Sequence, residues 1–193
     1  MTDQLFLKMN DNCQIPVVGL GTWKSEPGES TSQAVLDSLE AGYRHIDTAR
    51  AYDNETDVGR AVNDSGLPRG ELFITTKLWN QHQGYEEAIE ACEKSLNRLN
   101  CDYIDLYLIH WPLREKRNHS WKAFIELRER GLCKSIGVSN FTIEHLAEIE
   151  AKFGILPAVN QVEFHPYYYQ KELLDYCNSK NIIIEAYSPL VHA

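Results

Sequence analysis

Asp47, Tyr52, Lys77 and His110 are residues whose side chains complement one another chemically. A tyrosine hydroxyl, with an ordinary pKa of about 10, is a weak proton donor at neutral pH. A nearby ammonium stabilises the phenolate and lowers that value, and a carboxylate beside the ammonium keeps it charged and in place. A neutral histidine then donates a hydrogen bond that orients and polarises a carbonyl oxygen. Such a set would deliver a proton to a carbonyl group. Taken singly, each residue has an ordinary structural reading: Asp47 a helix cap, Tyr52 a surface aromatic, Lys77 a solvated charge, His110 a core histidine. The chemistry exists only if the fold makes them converge.

Each of these residues lies near the end of an apolar, β-rich run. The pattern predicts a hairpin over 5–8 and 14–15 with its turn at Asn10-Asp11-Asn12, then strands over 17–20, 45–48, 72–76, 103–109, 134–138, 159–164 and 182–186. Between them, helical periodicity marks 30–39, 55–63, 85–99, 120–130, 143–153 and 171–179. Ala34, Val35, Ser38 and Leu39 share one side of the first helix, and Ala88, Cys92, Leu96 and Leu99 form one stripe on the third. Thr142 reads as an N-cap. Strict β–α alternation leaves an open doubly wound sheet or a closed barrel. Polar or aromatic residues follow nearly every strand: Gly21-Thr22-Trp23, Asp47-Thr48, Lys77-Leu78-Trp79, His110-Trp111, Ser139-Asn140, Glu163-Phe164-His165 and Tyr187-Ser188. An open sheet gathers its site at one switch point, whereas a site fed by every strand implies a ring. Gly19-Leu20-Gly21-Thr22-Trp23-Lys24 lacks the third glycine of a dinucleotide fingerprint. The reading is an α/β fold, a (β/α)8 TIM barrel in a single domain over residues 1–193, with about seven strands present.

Composition narrows the partners. A formal net charge of −9 disfavours nucleic acid, which needs clustered basic residues. The longest apolar runs, such as Tyr103 to Ile109, are too short to span a bilayer. No basic-then-apolar leader opens the sequence, and the five cysteines include no Cys-x-x-Cys pair. The expectation is a cytoplasmic protein with free, mostly buried thiols.

The ordered motifs carry a more specific resemblance. Gly42-Tyr43-Arg44-His45-Ile46-Asp47-Thr48-Ala49, followed by Tyr52 and Asn54-Glu55, resembles the signature of the aldo-keto reductases. Phe73–Trp79, Asp105–Pro112, Ile136–Phe141, Asn160–Glu163 and Ala186–Leu190 continue the series in the family's order, and the spacings resemble those of compact bacterial members such as the 2,5-diketo-gluconate reductases. The resemblance implies an NADPH-dependent reductase of aldehydes or ketones, NADH not being excluded, with a small-molecule carbonyl as substrate and no metal. It makes Tyr52 the general acid, Lys77 and Asp47 its tuning groups and His110 the group that orients the carbonyl. It puts Ser139, Asn140 and Gln161 on the nicotinamide carboxamide, Tyr187 against the nicotinamide ring, and Thr22, Lys24, Ser188 and Leu190 near the ribose or pyrophosphate. Trp23, Trp79 and Trp111 would wall the substrate pocket together with Tyr52 and His110.

Three departures qualify the match. Asp53 follows Tyr52 where a neutral residue is common, and is expected to turn toward solvent. The segment from Leu113 to Ser120 is short and basic through Arg114, Lys116 and Arg117, which predicts an open pocket rim. The family's last helix–strand–helix portion, which holds the adenosine end of the cofactor, is not matched. A longer parent is expected to be monomeric, and these residues alone are expected to self-associate. Two other readings stand beside the reductase: a non-catalytic nucleotide-binding or regulatory protein on the same scaffold, and a barrel metal hydrolase. The second has no His-x-His or His-Glu-x-x-His spacing, which leaves His45 and His165 as barrel-rim residues.

Overall fold

The computed structural model describes residues 4–191. A hairpin of β1 (Phe6–Lys8) and β2 (Gln14–Pro16) precedes the repeating part, with Leu7 opposite Ile15. Seven parallel strands follow: β3 (Leu20–Gly21), β4 (His45–Asp47), β5 (Phe73–Leu78), β6 (Ile104–Ile109), β7 (Cys133–Ser139), β8 (Val159–Glu163) and β9 (Ile183–Tyr187). Their order in the sheet is their order in the chain, so β3 and β9 are its two edges. Six helices connect them: α1 (Glu29–Glu40), α2 (Glu55–Asp64), α3 (Glu86–Leu99), α4 (Arg117–Glu129), α5 (Ile143–Phe153) and α6 (Lys171–Ser179). The barrel reading therefore holds, with seven strands among the described residues.

Side chains alternate across a strand, so each strand divides its residues between helices and barrel interior. On β5, Ile74 and Leu78 join the core under the helices, while Phe73 packs inside with Leu106, Leu108, Val159 and the hairpin residues Met9 and Ile15. Thr75 and Lys77 share the parity of Phe73 and face the same interior. On β6, Tyr107 stacks on Phe124 of α4 with ring centroids 4.5 Å apart, opposite in direction to Leu106 and Leu108. Gly137 on β7 is required by close approach: a Cβ there would stand 2.7 Å from both the Leu108 side chain and the Val159 carbonyl. The hairpin closes the amino end of the barrel, and Asn10 Nδ2 donates to the Pro157 carbonyl at 2.9 Å.

Several boundaries differ from the sequence reading. Of the 17–20 run only Leu20 pairs as strand, joined by Gly21 beyond it, and the preceding Val17 and Val18 stay exposed. Lys77 lies within β5, whose apolar run extends to Leu78. Ala34 is exposed; the buried face of α1 is Thr31, Ser32, Val35, Ser38 and Leu39. Helix α4 starts at Arg117, which is buried and paired with Glu148, so part of the expected basic rim is structural. Thr142 does cap α5, and its backbone N–H donates to His145 Nδ1 at 3.2 Å. All five cysteines are free. Cys92 of α3 and Cys133 of β7 are buried with sulfurs 3.7 Å apart. Among the described residues, no helix is long and apolar enough to cross a membrane.

Candidate active site

A cavity of about 1040 Å³ runs between β3 and β9, from Leu7 and Ile15 of the hairpin to the carboxyl ends of the strands, where its lining includes Asp47, Tyr52 and His110. Asp47 ends β4, and one turn of 3-10 helix (Arg50–Tyr52) brings the Tyr52 ring back over it. That turn closes at Asp53, which adopts a left-handed conformation at φ 56°, points outward and pairs with Arg50, as the sequence predicts for a turn-forming aspartate. Lys77, almost fully buried, binds Asp47 Oδ1 and donates to the Thr48 carbonyl at 3.0 Å. The same Nζ lies 3.5 Å from the Tyr52 hydroxyl. The His110 ring meets Tyr52 edge-on at 5.8 Å between centroids and Trp79 at 5.2 Å. All four residues converge.

Electrostatics refine the expected roles. Burial pushes the Tyr52 hydroxyl above its ordinary value, Lys77 opposes that shift, and Asp47 adds to it. The net direction is upward, against the lowering expected from Lys77 alone. Desolvation of a phenolate outweighs one ammonium that is already shared with a carboxylate. Burial alone would lower Lys77, but Asp47 and Tyr52 reverse it, and its ammonium is held. His110 is pushed down to about 4, first by burial and then by Lys77, and is neutral at pH 7. One of its ring nitrogens, Nδ1, is enclosed without a hydrogen-bond partner.

The opposite wall is a hydrogen-bonded set from β7, β8 and β9. Ser139 Oγ donates to the Gln161 carbonyl at 2.9 Å, and Gln161 Nε2 donates to Asp47 Oδ2 at 2.8 Å. Asn140 stands at φ 64°, a region that asparagine tolerates better than most residues. From there its Nδ2 donates to the His110 carbonyl at 3.1 Å, and its Oδ1 accepts from the Tyr187 hydroxyl at 3.0 Å. Trp23, Trp79, Trp111 and Ser188 also line the cavity. Thr22 is buried just behind it, its hydroxyl 3.3 Å from both the Asp47 carbonyl and Asn54 Oδ1. Lys24 is exposed with its ammonium 4.5 Å from the Trp23 ring centroid, and Leu190 is exposed; neither lines the cavity.

Two polar residues here were given no role by the sequence reading. Asn54 is fully buried, accepts from Thr48 Oγ1 at 2.7 Å and donates to the Thr22 carbonyl at 3.0 Å, tying two strand-end loops together. Glu185 stands two residues before Tyr187 on β9, where strand alternation puts it on the interior face; a lone carboxylate in an apolar strand was the signal. His45 is also interior and not a rim residue: it is buried, with Nε2 2.9 Å from Thr75 Oγ1. His165 lies beyond the end of β8, and its Nε2 is 3.2 Å from Glu163 Oε1. No group of three His, Cys, Asp or Glu side chains among the described residues is placed to hold a metal.

The profile of the Aldo/keto reductase family matches residues 17–193. The chain belongs to that family. An aldo-keto reductase of Mycolicibacterium smegmatis is 52% identical over 186 residues, covering 95% of this chain and 67% of the relative. A glyoxal reductase of Bacillus subtilis is 49% identical, covering 96% and 67%. The crystal structure of a Bombyx mori aldo-keto reductase in complex with NADP superposes with a TM-score of 0.91 at 37% identity, over 97% of this chain and 67% of that one. The chain thus spans about two thirds of the length of these aldo-keto reductases. As an aldo-keto reductase it is an oxidoreductase by family, and its strand-end cavity is where the family resemblance and the convergent polar residues coincide.

Proposed function

We propose that the chain carries the catalytic half of an NADPH-dependent reductase that converts aldehydes or ketones to alcohols, with Tyr52 as the general acid. The observation that carries this reading is the chain of contacts from Asp47 through buried Lys77 to the Tyr52 hydroxyl, opening on the same cavity as a neutral His110.

The cavity wall fits a nicotinamide. Ser139, Asn140 and Gln161 offer the hydroxyl and amide groups a carboxamide needs, and Tyr187 offers a ring whose tilt is fixed by its bond to Asn140. Ser188 lies beyond, on the side where the ribose and pyrophosphate would run, with Thr22, Lys24 and Leu190 near it by family resemblance. When bound, NADPH supplies the hydride that reduces the carbonyl carbon. The chain's own residues handle the proton. Burial keeps Tyr52 protonated at neutral pH, and its hydroxyl and His110 both face a carbonyl oxygen admitted between them. As negative charge grows on that oxygen, the Tyr52 proton moves to it, and Lys77 stabilises the phenolate left behind. Asp47 and the Thr48 carbonyl keep Lys77 aimed at that point. Water then returns a proton to Tyr52. The tryptophans around the opening exclude solvent and favour apolar or small carbonyl compounds. The name of the Bacillus subtilis relative makes glyoxal and its homologues the first substrates to try.

The test is consumption of NADPH with glyoxal or methylglyoxal, by the chain and by the chain extended with the remaining C-terminal part of that relative. Tyr52→Phe is expected to cut turnover about 100-fold or more, while NADPH affinity changes by less than about twofold, because the lost hydroxyl acts on charge developing in the transition state. Undiminished turnover in the phenylalanine variant would remove Tyr52 from the role of acid.

A further inference from the structure

The proposed mechanism leaves one interior carboxylate unused. Glu185 sits in register with Gln161, the residue whose amide donates to Asp47 Oδ2 at 2.8 Å. Its side chain is 19% exposed, and its Oε2 is enclosed without a hydrogen-bond partner. The titratable groups facing it from other elements are His45 and Asp47 on β4 and Lys77 on β5. His45 does not neutralise it. Nε2 lies 3.9 Å from Glu185 Oε1, beyond hydrogen-bond length, already contacts Thr75, and burial pushes His45 down to about 4. Lys77 offers little more, because its ammonium is committed to Asp47 and the Thr48 carbonyl.

An enclosed carboxylate with one oxygen unpartnered, beside a second carboxylate, is costly to ionise. We propose that Glu185 is a positioning residue for the Tyr52 acid, acting through Gln161, Asp47 and Lys77 by passing between a neutral carboxyl and a second carboxylate beneath them. In the neutral form, Asp47 is the one carboxylate that holds Lys77, and the three groups together carry no net charge. When Glu185 gives its proton to solvent, the set becomes net negative. Glu185 then competes with Asp47 for Lys77 and Gln161, and the pull of Lys77 on the Tyr52 oxygen weakens. Burial first, then the charge of Asp47, against Lys77 and Gln161, push Glu185 up to about 8, so this exchange falls just above neutral pH.

The inference rests on Tyr52 being the acid, and its test does not need turnover. The chain is labelled with 13C at the glutamate carboxyl and tyrosine ζ carbons and titrated by NMR, with Glu185→Gln and Tyr52→Phe used for assignment. One glutamate is expected to titrate near pH 8, well above the others, and to vanish in Glu185→Gln. In that variant the Tyr52 midpoint is expected to fall by about half a pH unit or more, since the second negative charge is gone. Should Glu185→Gln not fold, the wild-type glutamate titration still decides the first half. A Glu185 that titrates with the other glutamates, or a Tyr52 midpoint unmoved in the variant, overturns the proposal. Turnover that survives Tyr52→Phe while both titrations behave as expected would instead overturn the acid assignment and leave the electrostatic link standing.

Discussion

The lysine at the centre of the site has two tasks at the residue level, and they are separable. It holds Asp47 and the Thr48 carbonyl together, and it lowers the cost of a phenolate at Tyr52. Lys77→Met keeps much of the volume and removes the charge. Tyr52, already raised by burial, is expected to rise further, by about one pH unit for each 1.4 kcal/mol of lost stabilisation. The sign follows from the protonation states: the ammonium favours the charged phenolate, so its removal favours the phenol. The alkaline limb of the turnover profile then moves to higher pH while maximal turnover falls, and an unmoved limb in a folded variant would deny Lys77 this role. The four converging residues were legible in the sequence because each lies at or near the carboxyl end of one of three neighbouring strands, Asp47 and Tyr52 at β4, Lys77 at β5 and His110 at β6. The sign of the Tyr52 shift was not, since neighbouring residue types reveal charge partners but not how completely water is excluded. Asn54 and Glu185 escaped a role for a related reason: Thr22, which Asn54 binds, and Gln161, which lies beside Glu185, are brought near only by strand pairing.

Helices and strands were read to within a few residues where periodicity was strong, as at α3, α5 and α6. The misses were at β3 and the start of α4. At β3 an apolar run lacks a pairing partner along most of its length; at α4 the basic sequence Arg114 to Arg117 hides a buried ion pair with Glu148. Element packing sets the site's frame as much as pairing does. Glu55 of α2 is buried, accepting from Thr76 Oγ1 on β5 and from Arg98 Nε on α3, each at 2.6 Å, so α2 is fastened behind the strand that presents Lys77. One turn later Gly59 lets α2 approach the end of α3: a Cβ there would stand 2.5 Å from the Leu99 carbonyl oxygen. Backbone cannot yield as a flexible side chain can. Gly59→Ala is expected to destabilise the fold by about 1–3 kcal/mol, more than any gain in helix propensity restores. Urea unfolding of the two forms measures it, and a variant as stable as the parent would show that the helices part at no cost.

At the scale of the whole molecule, the sheet's two edges and the apolar surface beside them govern behaviour in solution. Val17 and Val18 next to β3, and Leu5, Phe6 and Leu7 of the hairpin region, are all exposed. Unpaired strand edges flanked by such residues invite pairing with another chain. The 193-residue chain is therefore expected to self-associate at micromolar concentrations, and extension by the C-terminal part of a relative is expected to restore a monomer. Sedimentation across a concentration series tests both halves, and a chain that stays monomeric without extension would refute the first. The order of strands has a further consequence, in time and not in space. From β4 onward every strand pairs with its predecessor in the chain, so the sheet can grow from one end, each β–α unit laid against the one just formed, with crossovers of 19 to 25 residues to close. The bond from Gln161 to Asp47 is different, joining residues 114 apart. The chain can be largely folded before that bond exists, so the contacts among Asp47, Tyr52 and Lys77 can form early while their tie to Gln161 is among the last things it completes.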